Sequence, residues 1–307
     1  MKFCHLGLFV FTLVNVASAQ DGVLLKHDPS YVKGKTFQSE TTSNTEQTLT
    51  IAGMALETGS STFAITGSEV IDDAEGAAQI AHTFEVFQIH LNLPGGIEVS
   101  YDKASGQEPP AGNGPLETMQ QYFKILSHAN WVTTIGPDAK ATKVEFQGDS
   151  ATNVPEMFKA EMSPERWLKE TNREIDRLPS KVVNPGDTWT RNSEAELGSG
   201  QKFHLSTEYK YVGREEHKGK PMDHVTITTK TVVYEIGPES TLPLQVKKSD
   251  LKIDESAGDL WFDPELRHAV ETSHSLHITG DLILVINGQE LPSKLDLKMD
   301  NTNVVKK

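Results

Sequence analysis

The chain has 307 residues, of which 23% are charged and 36% hydrophobic, and its formal net charge at pH 7 is −14. Its acids are scattered, which speaks against a nucleic-acid binder, since that role needs clustered Lys and Arg, and against docking on anionic lipid head groups. Cys4 is the only cysteine, so disulfides and multi-cysteine metal sites are excluded. At the start of the chain, Lys2, the apolar run Phe3 to Val14 and the small residues Ala17-Ser18-Ala19 have the order of a secretory signal peptide. That run is too short to span a membrane. Cleavage after Ala19 leaves 288 residues from Gln20 onward, with 28 basic against 43 acidic side chains, a net charge of −15 and no cysteine. Cys4 does not follow the cleavage site, which gives no support for a lipid anchor there. The expectation is a secreted or periplasmic bacterial-type envelope protein with no transmembrane segment, because the longest later apolar run, Leu282 to Ile286, is only strand-sized.

Gln47 to Met54, Ser61 to Thr66, His82 to Leu91 and Ile97 to Asp102 read as strands, with Pro94-Gly95-Gly96 turning between the last two. Ala104 to Gly114 is a Gly- and Pro-rich loop. Gly114-Pro115 opens a helix whose apolar stripe is Leu116, Met119, Tyr122, Phe123 and Leu126. Trp131 to Ile135 and Thr142 to Phe146 form a short hairpin around Gly136-Pro137-Asp138. Ser163 caps a second helix that starts at Pro164-Glu165, presents Leu168, Thr171, Ile175 and Leu178, and stops at Pro179.

From Thr188 to Val304 the period is two. Phe203, Leu205, Thr207, Tyr209 and Tyr211 take one face, and His204, Ser206, Glu208 and Lys210 take the other. Val225, Ile227, Thr229, Thr231 and Val233 repeat the pattern after a turn at His217 to Pro221. Leu276 and Ile278 continue it, then Leu282, Leu284 and Ile286. Asn287-Gly288 is a two-residue hairpin turn, and Leu295, Leu297 and Met299 form the return strand. The fold class expected is mainly β (α+β): curved antiparallel sheet with two helices packed on one face. Residues 20–307 read as a single β-rich domain. The tetrads Gly34-Lys35-Thr36-Phe37 and Gly186-Asp187-Thr188-Trp189 raise a second division, into pseudo-repeated halves 20–178 and 179–307.

Candidate chemistry is thin. Gly198-Ser199-Gly200 falls one residue short on each side of a nucleophile elbow and reads as a turn. The stretch from Gly213 to Gly219-Lys220 has the wrong spacing for a phosphate loop and Pro221 follows it, so it reads as a charged hairpin tip. His268, His274 and His277, with Glu265 and Glu271 nearby, tempt a zinc reading. On a strand, however, His268 and His274 lie near 20 Å apart at about 3.3 Å per residue, so solvent-facing histidines are expected. Asp72-Asp73-Ala74-Glu75-Gly76 lacks the alternating carboxylates of a calcium loop. Trp261-Phe262-Asp263-Pro264 is either a sugar-stacking platform or, with more weight, core plus turn. No catalytic residue, metal ligand or cofactor is assigned.

The segment Leu178-Pro179-Ser180-Lys181-Val182-Val183-Asn184-Pro185-Gly186-Asp187-Thr188-Trp189 is similar to one shared by a family of secreted β-rich proteins of planctomycete-type bacteria, a domain of unknown function. The likeness continues through Tyr211-Val212-Gly213 and, more loosely, Leu260 to Pro264. It implies a β-rich secreted fold and no activity. Asn184 to Asp187 suits a type II turn, and Trp189 starts the strand that follows.

The expected function is a non-enzymatic binding or interaction protein whose partner is a protein or a polymer. The alternative is a carrier of an apolar, lipid-like ligand in a sheet concavity. There the first helix would act as a lid, and Tyr122, Phe123, Leu126 and Trp131 would be the ligand-binding residues. A hydrolase of carbohydrate or peptide is held third, to be promoted by two carboxylates or a Ser–His pair converging in a cleft.

Overall fold

A computed structural model describes residues 22–27, 32–73, 77–106, 108–112, 114–148, 153–198, 201–237 and 244–306. The leader, Ala74 to Gly76 of the acidic loop, and Ser199-Gly200 lie outside them.

Twelve strands form a single antiparallel sheet. The first four are β1 (Thr36–Ile51), β2 (Met54–Asp72), β3 (Ala78–Leu93) and β4 (Ile97–Asp102). Helix α1 (Pro115–Ser127), the hairpin β5 (Asn130–Ile135) and β6 (Ala141–Gln147), and helix α2 (Pro164–Ile175) follow. The meander β7 (Thr188–Gly198), β8 (Gln201–His217), β9 (Lys220–Ile236), β10 (Leu244–Asp263), β11 (His268–Ile286) and β12 (Gln289–Lys306) completes the chain. The spatial order is β6-β5-β3-β2-β1-β12-β11-β10-β9-β8-β7, with β4 paired to β3. The expected elements are present, but α2 ends at Ile175 and leaves Leu178 in the turn after it, and the strands of the first half run longer than the apolar alternation marks. Polar Thr36 to Glu46 belongs to β1 because its amides ladder with β2 on one side and β12 on the other.

The local chemistry follows the residues. Ser163 Oγ accepts from the Arg166 amide at 3.2 Å and caps α2, with Pro164 at the first helical position. Asn287 and Gly288 take φ of 50° and 78°, the positive values a two-residue hairpin of this hand requires. Gly186 takes φ of 95°, as position three of a type II turn demands, and the Asp187 carboxylate accepts from the Asn184 amide at 2.8 Å. Trp189 then stacks on Tyr209 and donates its indole N–H to the Arg177 carbonyl at 2.8 Å.

Asn172 of α2 uses both ends of its amide on the Ala141 backbone, accepting from N at 3.0 Å and donating to O at 2.8 Å. This grips β6, one outer strand of the order. Two residues of the same helix grip β7, the other outer strand: Arg173 donates to the Glu194 carbonyl at 3.2 Å, and Lys169 pairs with the Glu194 carboxylate at 3.0 Å. Laid flat, β6 and β7 would stand roughly 48 Å apart at 4.8 Å per strand, while a helix is only about 10–12 Å across. The sheet is therefore strongly curled, and α2 bridges its two outer strands. At its N-terminal half, α2 packs Leu168 on Ala78, Ile80, Ile135 and Ala141.

Val23 pairs with Val183, and the fully buried Leu25 joins Leu178, Tyr211, Val225 and Leu260 in one core cluster. Asp223, also buried, accepts from Tyr211 at 2.8 Å and takes both arms of the Arg214 guanidinium, at 3.1 and 3.0 Å. This satisfies a carboxylate that would be costly to bury alone.

Candidate functional site

The four residues expected to hold a ligand under α1 lie in a packed aromatic cluster. The Tyr122 ring stacks on Phe158 at 4.2 Å, and burial pushes its phenol up to about 12. Phe123 is buried, and Leu126 packs beside it against the same cluster. Trp131 has His82 on one side at 5.1 Å, Phe84 at 5.1 Å and Trp167 of α2 at 4.8 Å. Burial holds His82 down to about 4, and its Nδ1 is 2.8 Å from the Ser68 hydroxyl.

Open space lies under α2. A cavity of about 940 Å³ sits between the C-terminal half of that helix and the curled sheet. Leu205, Ile227, Leu276 and Met299 supply its apolar floor, from strands β8, β9, β11 and β12. His204 and Ser206 beside Leu205, with Thr231 and Asn301, add polar groups to the same lining. Four cations line the helix side, Lys169, Arg173, Arg177 and Arg191, against the two carboxylates Asp176 and Glu194. Arg177 pairs with Glu174 at 2.7 Å, and Arg191 donates to the Asp176 and Leu178 carbonyls at 2.6 and 2.7 Å, capping the last turn of α2. The site thus joins an apolar floor to a cationic edge.

A polar cluster also borders the cavity. The ladder between β9 and β10 runs from Asp223 to Ile227 and from Gly258 to Phe262. Beyond it the Thr229 amide donates to Ser256 Oγ at 2.7 Å. Ser256 Oγ is in turn 3.2 Å from His274 Nε2, and Thr207 and Thr229 share a hydroxyl contact at 3.2 Å. Gly258 is required here, because a Cβ would come within 2.4 Å of the Ser273 carbonyl. A serine next to a histidine is the beginning of a hydrolytic pair. The electrostatics oppose that use. Burial first, then the Arg177 charge, hold His274 down to about 4. A general base must become imidazolium during attack, and the charge bearing on this one is a cation where a triad has a carboxylate.

The histidines differ from the sequence expectation. His268 and His274 are half-buried and partnered, not solvent-facing. His268 Nδ1 lies 2.9 Å from His27 Nδ1, and burial holds the two rings down to about 4 and about 3. His277 bonds Asp296 at 2.9 Å. Among the described residues no group of three or more potential ligands gathers around a metal position. Trp261 is not core: His217 and His224 stack on it at 4.0 Å each, with ring planes within 10°. With both faces covered it offers no platform for a sugar. Phe262 is buried, and the Asp263 carboxylate turns the chain by accepting the Glu265 and Leu266 amides.

No family model matches the chain, and no curated protein matches it. Solved structures overlap it loosely. A lipovitellin structure described for its lipid–protein interactions is 8% identical at a TM-score of 0.45. The overlap covers 90% of this chain but only 25% of that one, so the chain spans about a quarter of lipovitellin. Pseudomonas aeruginosa OccK2 (OpdF) is 8% identical over 89% of this chain and 98% of its own, at a TM-score of 0.19. A DUF1329 family protein from Desulfovibrio piger is 9% identical over 86% of this chain and 84% of its own, at 0.16. All three scores are below the level at which two chains share a fold.

The cavity floor was absent from the sequence reading. Leu205, Ile227, Leu276 and Met299 were legible as inward strand residues, but nothing in their local pattern says that the space above them is open. The signal that could have found the site is the spacing of Lys169 and Arg173 on one face of α2, continued by Arg177 just past its end.

Proposed function

We propose that this protein is a non-enzymatic carrier of an apolar, lipid-like ligand, held under α2 in the curl of the sheet. The observation that carries this reading is the cavity of about 940 Å³ with an apolar floor and a cationic edge. Its volume lies within the range of small-molecule sites, roughly 300–1,000 Å³, and its lining suits an amphiphile with an anionic head. The tail would cover Leu205, Ile227, Leu276 and Met299, while the head would meet Arg173 and Arg177. We place the work outside the cytoplasm on the strength of the leader-like Met1 to Ala19, and we group the chain with the secreted planctomycete-type family on Leu178 to Trp189.

The Ser256–His274 contact favours a second reading, hydrolysis, and the Arg177 charge opposes it. Replacing Ser256 with Ala separates the two: a carrier keeps its ligand, whereas a hydrolase accumulates uncleaved substrate. The direct test is native mass spectrometry of protein purified from its own envelope. A co-purifying lipid-sized mass that disappears in Met299→Trp supports the carrier. A clean unliganded mass from the unaltered protein rejects it.

A further inference from the structure

The charges around the cavity under α2 do not cancel. Lys169 pairs with Glu194 at 3.0 Å, Arg173 with Glu170 at 2.6 Å and Arg177 with Glu174 at 2.7 Å. Lys140 reaches Asp176 at 2.7 Å. His204 bonds Glu235 at 2.8 Å, and Glu235 stands opposite Lys202 across the β8–β9 pair. Arg191 differs. Among the described residues it meets no carboxylate, and it donates only to the carbonyls of Asp176 at 2.6 Å, Leu178 at 2.7 Å and Thr190 at 3.4 Å. Those carbonyls orient the guanidinium but bring only partial negative charge, so a positive charge is left over at the cavity wall. Of its five N–H groups, two stay unused.

A second group at the same wall lacks a partner. Tyr209 lines the cavity and is only 6% exposed, and among the described residues its hydroxyl makes no hydrogen bond. Leaving a buried hydroxyl unmatched is costly, so the position calls for a ligand atom. Trp189, opposite Tyr209 in the β7–β8 register, stacks on its ring and holds it in place. Arg191 stands opposite Thr207, which puts it diagonal to Tyr209 on the same sheet face. Burial raises the Tyr209 phenol above its ordinary value, against the charges of Arg177, Arg191 and Arg173, and keeps it an O–H donor.

We propose that the ligand of this cavity is a long-chain monocarboxylic acid, its head held by the unused N–H groups of Arg191 and the Tyr209 hydroxyl. The inference rests on the carrier reading of the same cavity and names its ligand class. Arg173 and Arg177 flank the seat, but their charges are already met by Glu170 and Glu174. Charge therefore decides between anions. One leftover cation balances one carboxylate. A phosphate monoester carries about −1.5 to −2 at pH 7, and its surplus would lie unmatched beside Asp176 and Glu194, which line the same space. An alcohol head would leave the Arg191 charge unmatched instead. Two guanidinium N–H groups and one phenolic O–H also suit the two oxygens of a carboxylate, which together offer about four lone-pair sites.

The experiment is isothermal titration calorimetry of protein purified from its own envelope and stripped of ligand. The probes are decanoate, decyl phosphate and decanol, which share one tail, at about pH 8, where the phosphate ester is a dianion. Decanoate should bind at least about tenfold more tightly than either of the others. Arg191→Gln should bring decanoate down to the level of decanol. Because Arg191 also holds two carbonyls at the end of α2, that variant can fail to fold, and Tyr209→Phe then decides. It removes a hydroxyl that bonds nothing in the protein, so the urea midpoint should stay where it was while decanoate affinity falls about tenfold. A structural role would move the midpoint and spare the affinity. The proposal is overturned, with the carrier still standing, if decyl phosphate or decanol binds as tightly as decanoate. It is overturned too if Tyr209→Phe keeps full decanoate affinity. If none of the three probes binds, the carrier reading falls and this inference falls with it.

Discussion

The two helices start alike and cover opposite ground. Each opens on a proline, and their lengths are 13 and 12 residues. Beneath α1 its own Tyr122 stacks on Phe158, and its Phe123 joins Phe87 in one buried cluster. Beneath the second half of α2 lies the cavity, where the neighbouring residues Asn172 and Arg173 tie that half of the helix to the two outer strands. An apolar stripe tells that a helix lies on something. Whether the space below is filled depends on how the helix is suspended.

The largest effect should come from the filled side. Phe123→Ala should lower the unfolding free energy by about 3–5 kcal/mol in urea titration, and leave ligand per folded molecule unchanged. An effect near zero would mean that the cluster under α1 is loose.

Acid should weaken both sides. His82 and His274 are held down to about 4 by burial, against 6.5 in the unfolded chain. A depressed folded value makes the neutral ring the stabilising form. Its contribution is complete above pH 6.5 and is lost as pH falls toward 4, by at most about 1.4 kcal/mol per unit for each ring. Urea midpoints should fall across that window, and His82→Gln or His274→Gln should each flatten the slope. A midpoint independent of pH from 6.5 to 4 would contradict the burial of both rings.

Enlarging side chains separates the regions further. Phe123→Trp overfills a packed site and should cost about 1–3 kcal/mol. Met299→Trp enters open space and should cost under about 1.5 kcal/mol while expelling the ligand. The seam has an effect of similar size. Asn172→Ala removes two hydrogen bonds to Ala141 and should cost about 1–2 kcal/mol, with faster ligand exchange in a stopped-flow displacement assay. An unchanged exchange rate would show that α2 does not control entry.

Much of the fold was legible because the meander alternates over most of its length from Thr188 onward and because Asn287-Gly288, Asn184 to Asp187 and Ser163-Pro164 carry their own geometry. The expected inward face of β9 fails at its end, where a bulge between Thr229 and Thr231 buries Val232 and leaves Val233 exposed. What escaped is long-range. The span of β1 depends on amide partners more than 200 residues away, such as Asn303 opposite Thr41, and the polar side chains of Thr36 to Glu46 do not announce it. The curl depends on Asn172 finding Ala141, and on β6 and β7 meeting the same helix. Tyr122, Phe123, Leu126 and Trp131 were conspicuous as an apolar group, but their partners were not: Tyr122 stacks on Phe158, and Trp131 packs on His82, Phe84 and Trp167. The cavity floor draws single residues from four strands, each ordinary in its own neighbourhood.

The measurement that bears most directly on the suspended helix is xenon or small-hydrocarbon binding followed by methyl NMR of Leu, Ile and Met labels on protein stripped of ligand. Shifts concentrated at Leu205, Ile227, Leu276 and Met299, with those of Leu126 and Met119 unmoved, are the predicted result. Shifts concentrated under α1, or none at the four floor residues, would contradict it.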